Sequence, residues 1–80
     1  MRGEFGRALG HHAMAHGHRL SDLAAHLGVS VGRLSFWISG NASPPDPETV
    51  RRIAEFLGVP VHVLEEPARL SREAWSKGEK

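Results

Sequence analysis

The spacing between two short apolar-periodic segments constrains this sequence most. The first segment, residues 20–27, places apolar side chains at i, i+3, i+4 and i+7, namely Leu20, Leu23, Ala24 and Leu27. The second segment, residues 31–39, carries Leu34, Trp37 and Ile38 at helical spacing. Only three residues separate the two segments. The pattern therefore predicts two short amphipathic helices joined by a very tight turn.

The three linking residues explain how such a turn forms. Gly28 adopts backbone conformations that other residues resist, Val29 fills the angle between the helices, and Ser30 is a favoured N-cap. Two short helices joined in this way are typical of the helix-turn-helix motif. In that motif the second helix enters the major groove of DNA, which is about 12 Å wide, and presents its N-terminal residues to the bases.

The rest of the chain is also predicted to be helical, and no segment alternates long enough for a strand. A first helix over residues 4–16 has its stripe at Phe5, Leu9, Ala13 and His16. Its two glycines, Gly6 and Gly10, weaken it by up to about 1 kcal/mol each if they are exposed. Gly17 ends this helix.

A fourth and a fifth helix follow a loop over residues 41–46. Asp46 is expected to cap the fourth helix and Pro47 to open it. Its buried stripe is Val50, Ile53, Ala54 and Leu57. A short fifth helix over residues 61–65 is expected to pack Val61 and Leu64. The sequence thus predicts an all-α fold, a compact bundle of five short helices.

Two parts of the chain are distinguished by composition. Residues 1–66 are expected to form the helix-turn-helix domain, and residues 67–80 a C-terminal tail that is polar except for Leu70 and Trp75. For this tail a frayed helix, a disordered segment and a partner-binding arm remain alternatives.

Composition excludes several function classes. The 80 residues contain no cysteine, so neither a disulfide nor a cysteine metal site is available. No apolar run approaches the roughly 20 residues of a membrane span, and the charged N-terminal stretch does not resemble a secretory signal, so we expect a cytoplasmic protein. Such a short chain has little room for a substrate cavity, and no convincing catalytic group can be assembled. We therefore expect neither an enzyme nor a cofactor.

Charge and histidines suggest a weaker possibility. The net charge is only +1, but residues 1–45 carry +2 and five of the six histidines, whereas residues 46–80 carry −1. His12 and His16 have the i, i+4 spacing of a chelating pair. A structural metal site, however, needs four ligands, and we therefore predict no metal. Protonation of histidines near phosphates would instead make binding sensitive to pH.

In its motifs the chain resembles the lambda repressor/Cro-like helix-turn-helix proteins, the XRE family. The resemblance covers residues 5–66. Its most specific elements are Leu23-Ala24 followed by Leu27-Gly28-Val29-Ser30, then Trp37-Ile38-Ser39-Gly40, and finally the segment from Pro45 to Pro60. The resemblance implies a regulator, most simply a repressor, that binds double-stranded DNA in the cytoplasm as a homodimer.

The resemblance also implies which residues touch DNA. The candidates for base contact lie in the first turns of helix 31–39 and are Val31, Gly32, Arg33, Ser35 and Phe36. Arg33 has the bidentate donor fork that suits guanine, and Val31 suits a thymine methyl group. The candidates for phosphate contact are Arg19, Leu20 and Ser21 at the start of the second helix, with Ser30, Ser39 and Asn41.

Phe36 leaves a further functional hypothesis open for the same face. Phe36 is unexpected there: its alternatives are an exposed residue without a role, a contact with a thymine methyl group, and part of a protein-binding patch. A protein-interaction module of antitoxin or phage accessory type is therefore the second functional hypothesis. Its partner would bind through Phe36, Ile38 or the C-terminal tail.

Overall fold

The structure of the protein is a computed structural model that describes residues 3–78. Over this range the chain forms five helices and no strand, which confirms the predicted all-α bundle. The helices are α1 (Glu4–Ala15), α2 (Leu20–Leu27), α3 (Val31–Ser39), α4 (Pro47–Leu57) and α5 (His62–Ser76). Within residues 3–78, no helix combines the length and the apolar character needed to cross a membrane.

One apolar core joins all five helices. Its largest fully buried side chains are Phe5, Leu9, Leu23, Leu34, Val50, Ile53, Leu57 and Leu64. Burial of each such side chain contributes about 1.5–3 kcal/mol, so the core supplies the main driving force for folding. The predicted stripes of α2 and α4 are buried, apart from the partly exposed Leu20.

The stripe predicted for α1 is wrong at one end. Phe5, Leu9 and Ala13 are buried, but His16 is exposed because α1 ends at Ala15 and His16 occupies the C-cap, where the chain turns away. Gly17 follows with a left-handed backbone at φ 71°, as its predicted role requires.

Gly6 lies where α1 crosses α3. A Cβ atom on Gly6 would lie 2.2 Å from the carbonyl oxygen of Ile38 and 2.4 Å from that of Trp37. The backbones of the two helices therefore approach each other more closely than any side chain permits. Gly6 weakens α1, as the sequence indicates, but the packing also requires it. It fixes the last turn of α3 against α1.

The prediction for the fifth helix is wrong about its length. α5 continues through Pro67 to Ser76 because its second half packs against α1. Ala68, Ser71 and Ala74 are buried there, and the Phe5 amide donates a hydrogen bond of 2.9 Å to the Ser71 hydroxyl. Of the tail from residue 67 onward, the part up to Ser76 is therefore helical, while residues 79 and 80 lie outside the described range.

The start of α5 also differs from its prediction. Leu64 is fully buried as expected, but Val61 is exposed because it precedes the helix at the N-cap position. Further along α5, Arg72 donates hydrogen bonds to the Glu65 carboxylate at 2.8 Å and to the Pro45 carbonyl at 2.9 Å. The second contact ties α5 to the loop that leads into α4.

Side-chain hydrogen bonds place α4 beside the helix-turn-helix pair. Arg52 donates a hydrogen bond of 3.0 Å to the carbonyl of His26 near the C-terminal end of α2. Asp46 holds the predicted N-cap position, but its carboxylate accepts a hydrogen bond of 2.6 Å from the Thr49 hydroxyl and none from a helix amide. α4 therefore packs against α2. The outer side of α3 stays uncovered.

Candidate nucleic-acid interface

The turn between α2 and α3 has the conformation that its sequence predicts. Gly28 has a left-handed backbone at φ 74°, and the Val29 amide donates a hydrogen bond of 3.0 Å to the carbonyl of Ala24. The Ser30 hydroxyl then accepts a hydrogen bond of 3.0 Å from the Arg33 amide and caps α3. Backbone groups at the end of α2 and at the start of α3 thus find hydrogen-bond partners within three residues, so α3 begins at a fixed position and angle.

The inner face of α3 is anchored by two residues. Leu34 is fully buried and Trp37 is only 5% exposed. Since successive residues of a helix are about 100° apart, the positions opposite this anchor are Gly32, Ser35, Phe36 and Ser39. Val31 and Arg33 lie on the two flanks of that face.

The exposed face of α3 contains all five candidates for base contact. Phe36 is 56% exposed and Val31 is 45% exposed. The other three exposed candidates are Gly32, Arg33 and Ser35. The structure thus brings these residues together on one solvent-facing surface, which we call the α3 face, and their contact with bases remains a prediction.

Arg33 rests on the aromatic ring of Trp37. Its guanidinium carbon lies 5.7 Å from the centroid of that ring, within the range of a cation–π interaction. Because Trp37 is held in the core, the stack restricts the orientation of the arginine. The apolar pattern predicts Trp37 as a core residue, and its i, i+4 spacing from Arg33 also indicates contact between these two side chains on a helix.

A cleft of about 450 Å³ borders Arg33 on its loop side. It lies between the α2–α3 turn and the loop before α4, and its polar lining includes Arg33, Asp46 and Thr49. The hydrogen bond from the Thr49 hydroxyl lowers the pKa of Asp46 below its ordinary value. The carboxylate is ionised near neutral pH, as an ordinary aspartate is, and it places a negative charge on the side of the cleft that borders Arg33.

The candidates for phosphate contact fall into two groups. Five of them are exposed: Arg19, Ser21, Ser30, Ser39 and Asn41. Leu20 is partly buried and packs against the core, so it offers DNA only its backbone amide. That amide belongs to the first turn of α2, whose N–H groups have no acceptor within the helix.

The two serine hydroxyls near the ends of α3 differ in what they can donate. Ser30 uses its oxygen to accept the Arg33 amide, so its own hydrogen remains available for a phosphate. Ser39 donates its hydroxyl hydrogen to the Phe36 carbonyl at 3.2 Å. A phosphate contact by Ser39 would therefore require the side chain to rotate away from the helix.

Four arginine and lysine side chains within residues 3–78 form no ion pair there: Arg19 and Arg33 at the helix-turn-helix pair, Arg52 on α4 and Lys77 after α5. By contrast, Arg51 pairs with two glutamates of α4 and Arg69 with two glutamates of α5. Arg72 is likewise paired with Glu65. An approaching phosphate therefore meets two cations on the helix-turn-helix side that need not give up a carboxylate partner.

Ile38 does not belong to the exposed apolar surface. It is partly buried against the core, and its Cγ2 atom lies 3.7 Å from the Cβ position of Gly10 on α1. Because α1 packs against one side of Ile38, this residue offers less surface than Phe36 to a protein partner, and binding through Ile38 remains a prediction. Phe36 and Val31 remain exposed.

The histidines are distributed over several contacts. His18 and His26 both lie against the ring of Phe56 on α4, with centroid distances of 4.9 and 5.0 Å. His11 and His12 face each other edge to face at 5.2 Å. Among residues 3–78, no three side chains of His, Asp or Glu come together in a metal-binding group.

Comparison with known proteins gives one match. A family model described as helix-turn-helix, of the lambda repressor-like XRE type, matches residues 14–64. This range contains α2, α3, α4 and the loops between them. No curated protein matches the chain, and no solved structure does.

Proposed function

The chain belongs to the XRE-type, lambda repressor-like helix-turn-helix family of DNA-binding transcription regulators, and from this premise we propose that it represses transcription by binding a specific operator. In this proposal α3 enters the major groove and its exposed face contacts the bases. The observation that carries the proposal is the α3 face itself, because a rigidly anchored helix presents an uncovered surface with an unpaired arginine at its edge.

Arg33 on the α3 face and the polar groups beside that face have proposed roles. The guanidinium of Arg33 donates two hydrogen bonds to a guanine, with its plane held by Trp37. Arg19 and the first amides of α2 bind the phosphate backbone beside the groove, joined by the hydroxyl of Ser30. The phosphate contacts fix the position of the protein, and the base contacts supply the sequence preference.

The size of the protein supports binding as a homodimer. The accessible surface of the chain is 4622 Å². Specific protein–DNA interfaces bury about 1,000–2,500 Å² of protein surface, which would be roughly a quarter to a half of this chain. Two copies on half-sites about 34–36 Å apart reach that area with one face each. A bound dimer of this kind would repress by covering the site where transcription starts.

The test begins with selection from a random duplex library, followed by titration of the selected duplex at several salt concentrations. We expect one enriched motif with two half-sites, and affinity that falls steeply as salt rises. Arg33→Ala should weaken binding by about 1–3 kcal/mol and relax the preference at one guanine. Arg69→Ala is the matched control, since it removes the same charge from α5.

Arg33→Lys separates charge from geometry. Lysine keeps the positive charge but loses the planar fork and the stacking on Trp37. We expect this variant to keep the salt dependence and to lose the guanine preference. If Arg33→Ala bound the selected duplex with unchanged affinity and preference, the assignment of Arg33 to the bases would be refuted.

The exposed Phe36 and Val31 favour one other candidate, a protein-interaction module. The low net charge is consistent with it as well. This candidate predicts that the library yields no motif and that Phe36→Ala abolishes a stable protein complex while the fold is kept. Enrichment of a motif together with no stable protein partner would exclude it.

A further inference from the structure

Gly32 occupies an exposed position of α3 that the fold does not require to be glycine. It lacks the positive φ that favours glycine at the helix ends. A Cβ atom built on it would meet only the Ser30 hydroxyl oxygen, at 3.8 Å, which is an ordinary contact. Glycine within a helix is nevertheless unfavourable compared with alanine. Neither packing nor backbone conformation therefore accounts for this residue, in contrast to Gly6.

Phe36 lies one turn after Gly32 on the same face of α3. Long side chains in helices point back toward the N-terminus and cover the preceding turn. The Phe36 side chain is 56% exposed, and none of its atoms comes within 4 Å of the Cβ position of Gly32. The space at the Cβ position of Gly32 is therefore open except on the side of Ser30, and the exposed Phe36 lies one turn later on the same face; we call this space the notch.

We propose that this notch receives the C5-methyl group of a thymine in the major groove; this inference rests on the proposed DNA-binding function. Thymine is the one standard base that presents a methyl group there. The exposed ring of Phe36 offers the methyl group an apolar surface, and the Ser30 hydroxyl, 3.8 Å from the Cβ position of Gly32, is the polar side-chain group beside the notch. The missing Cβ of Gly32 lets the base edge approach the helix closely enough for the ring to cover the methyl group.

Uracil substitution tests the methyl group alone. Each thymine of the selected duplex is replaced in turn by deoxyuridine, which leaves every hydrogen-bonding atom in place. At one thymine per half-site we expect wild-type protein to bind about fourfold more weakly, which corresponds to about 0.8 kcal/mol for one buried methylene-sized group.

Phe36→Ala should bind the thymine and uracil duplexes equally at that position, because the ring that covers the methyl group is gone. Met14→Ala is the control: it truncates an apolar side chain on α1 that is 83% exposed. This variant should keep the full thymine preference.

A second pair of variants tests Gly32 without relying on the aromatic ring. Gly32→Ala and Gly10→Ala both replace a glycine inside a helix where a Cβ atom fits, since the nearest atom to the Gly10 position is 3.7 Å away. Both changes should raise the melting temperature. Only Gly32→Ala should weaken binding to the selected duplex, by about tenfold, because its methyl group fills the notch.

The outcomes distinguish this inference from the proposed function. A motif whose thymines all tolerate uracil overturns the thymine notch and leaves sequence-specific DNA binding standing. Unchanged binding by Gly32→Ala overturns the role of Gly32 in the same way. A wild-type protein that selects no motif overturns the proposed function together with the inference that rests on it.

Discussion

Replacement of Gly6 by alanine perturbs the crossing of α1 and α3 by a single methyl group. The added Cβ atom would lie 2.2 Å and 2.4 Å from two carbonyl oxygens of α3, and 2.6 Å from the carbonyl carbon of Ile38. These are backbone atoms, so no side-chain rotation relieves the overlap. α1 and α3 must separate by roughly 1.3–1.8 Å at the 2.2 Å contact to restore ordinary van der Waals contact at about 3.5–4.0 Å.

The magnitude follows from two opposing effects. Alanine favours a helix over glycine by up to about 1 kcal/mol. Against this, overpacking of a tight contact costs about 1–3 kcal/mol, or more when the obstacle is backbone. Separation of the helices would also loosen the packing of Phe5 and Trp37, which belong to the same core. We therefore expect a net loss of about 2 kcal/mol or more.

The assay is thermal and urea unfolding followed by far-ultraviolet circular dichroism. For a domain of this size, 2 kcal/mol corresponds to a fall in melting temperature of roughly 8–16 °C. Gly10→Ala is the matched control on the same helix, and it should raise the melting temperature because its methyl group meets only Ile38 Cγ2 at 3.7 Å. A Gly6→Ala protein as stable as the wild type would refute the close approach of α1 and α3.

Three further predictions concern stability. Ser71→Ala removes the buried acceptor of the Phe5 amide, and the free energy of unfolding should fall by about 1–3 kcal/mol in urea titrations. The hydrogen bond from Thr49 lowers the pKa of Asp46 in the folded state. The stability that this bond contributes is present above the unfolded pKa of Asp46 and is lost as pH falls through the lower folded pKa. Asp46→Asn should therefore reduce the loss of stability measured between about pH 5 and pH 2. Pro67→Ala restores a backbone donor inside α5 and should raise the melting temperature, whereas a lower value would show that the proline ring is needed for packing.

The helix-turn-helix pair could be predicted from the sequence because every local signal agrees there. The bounds of α2 and α3, the left-handed Gly28 and the Ser30 cap follow from apolar spacing and from residues with strong positional preferences. When helix patterning and turn chemistry agree in this way, the structure of a segment can be predicted without its tertiary context. The exposed residues of α3 follow from the same periodicity.

The second half of α5 could not be predicted in this way. Pro67 is a strong local signal for the end of a helix, and tertiary packing overrides it. The buried stripe beyond it consists of the small residues Ala68, Ser71 and Ala74, which an apolar pattern does not reveal. Small residues occur there because α5 packs on α1, and only the three-dimensional arrangement shows this contact.

The α3 face was only partly accessible to sequence reasoning. Exposure of Phe36 and Arg33 and the inward position of Ile38 follow from helical spacing. The close contact of Ile38 with α1 does not, since it depends on how closely the two glycines of α1 let α3 approach. The stacking of Arg33 on Trp37 and the open Cβ position of Gly32 are likewise properties of the folded arrangement.

The central claim is that α3 is the surface that binds a specific DNA sequence. The most direct measurement is titration of ¹⁵N-labelled protein with the selected duplex, followed by amide chemical shifts across residues 3–78. If α3 binds the DNA, the largest changes occur in the first two turns of α3, at Arg19 to Ser21, and in the turn between the helices. Large changes confined to α5, with α3 unaffected, would contradict it.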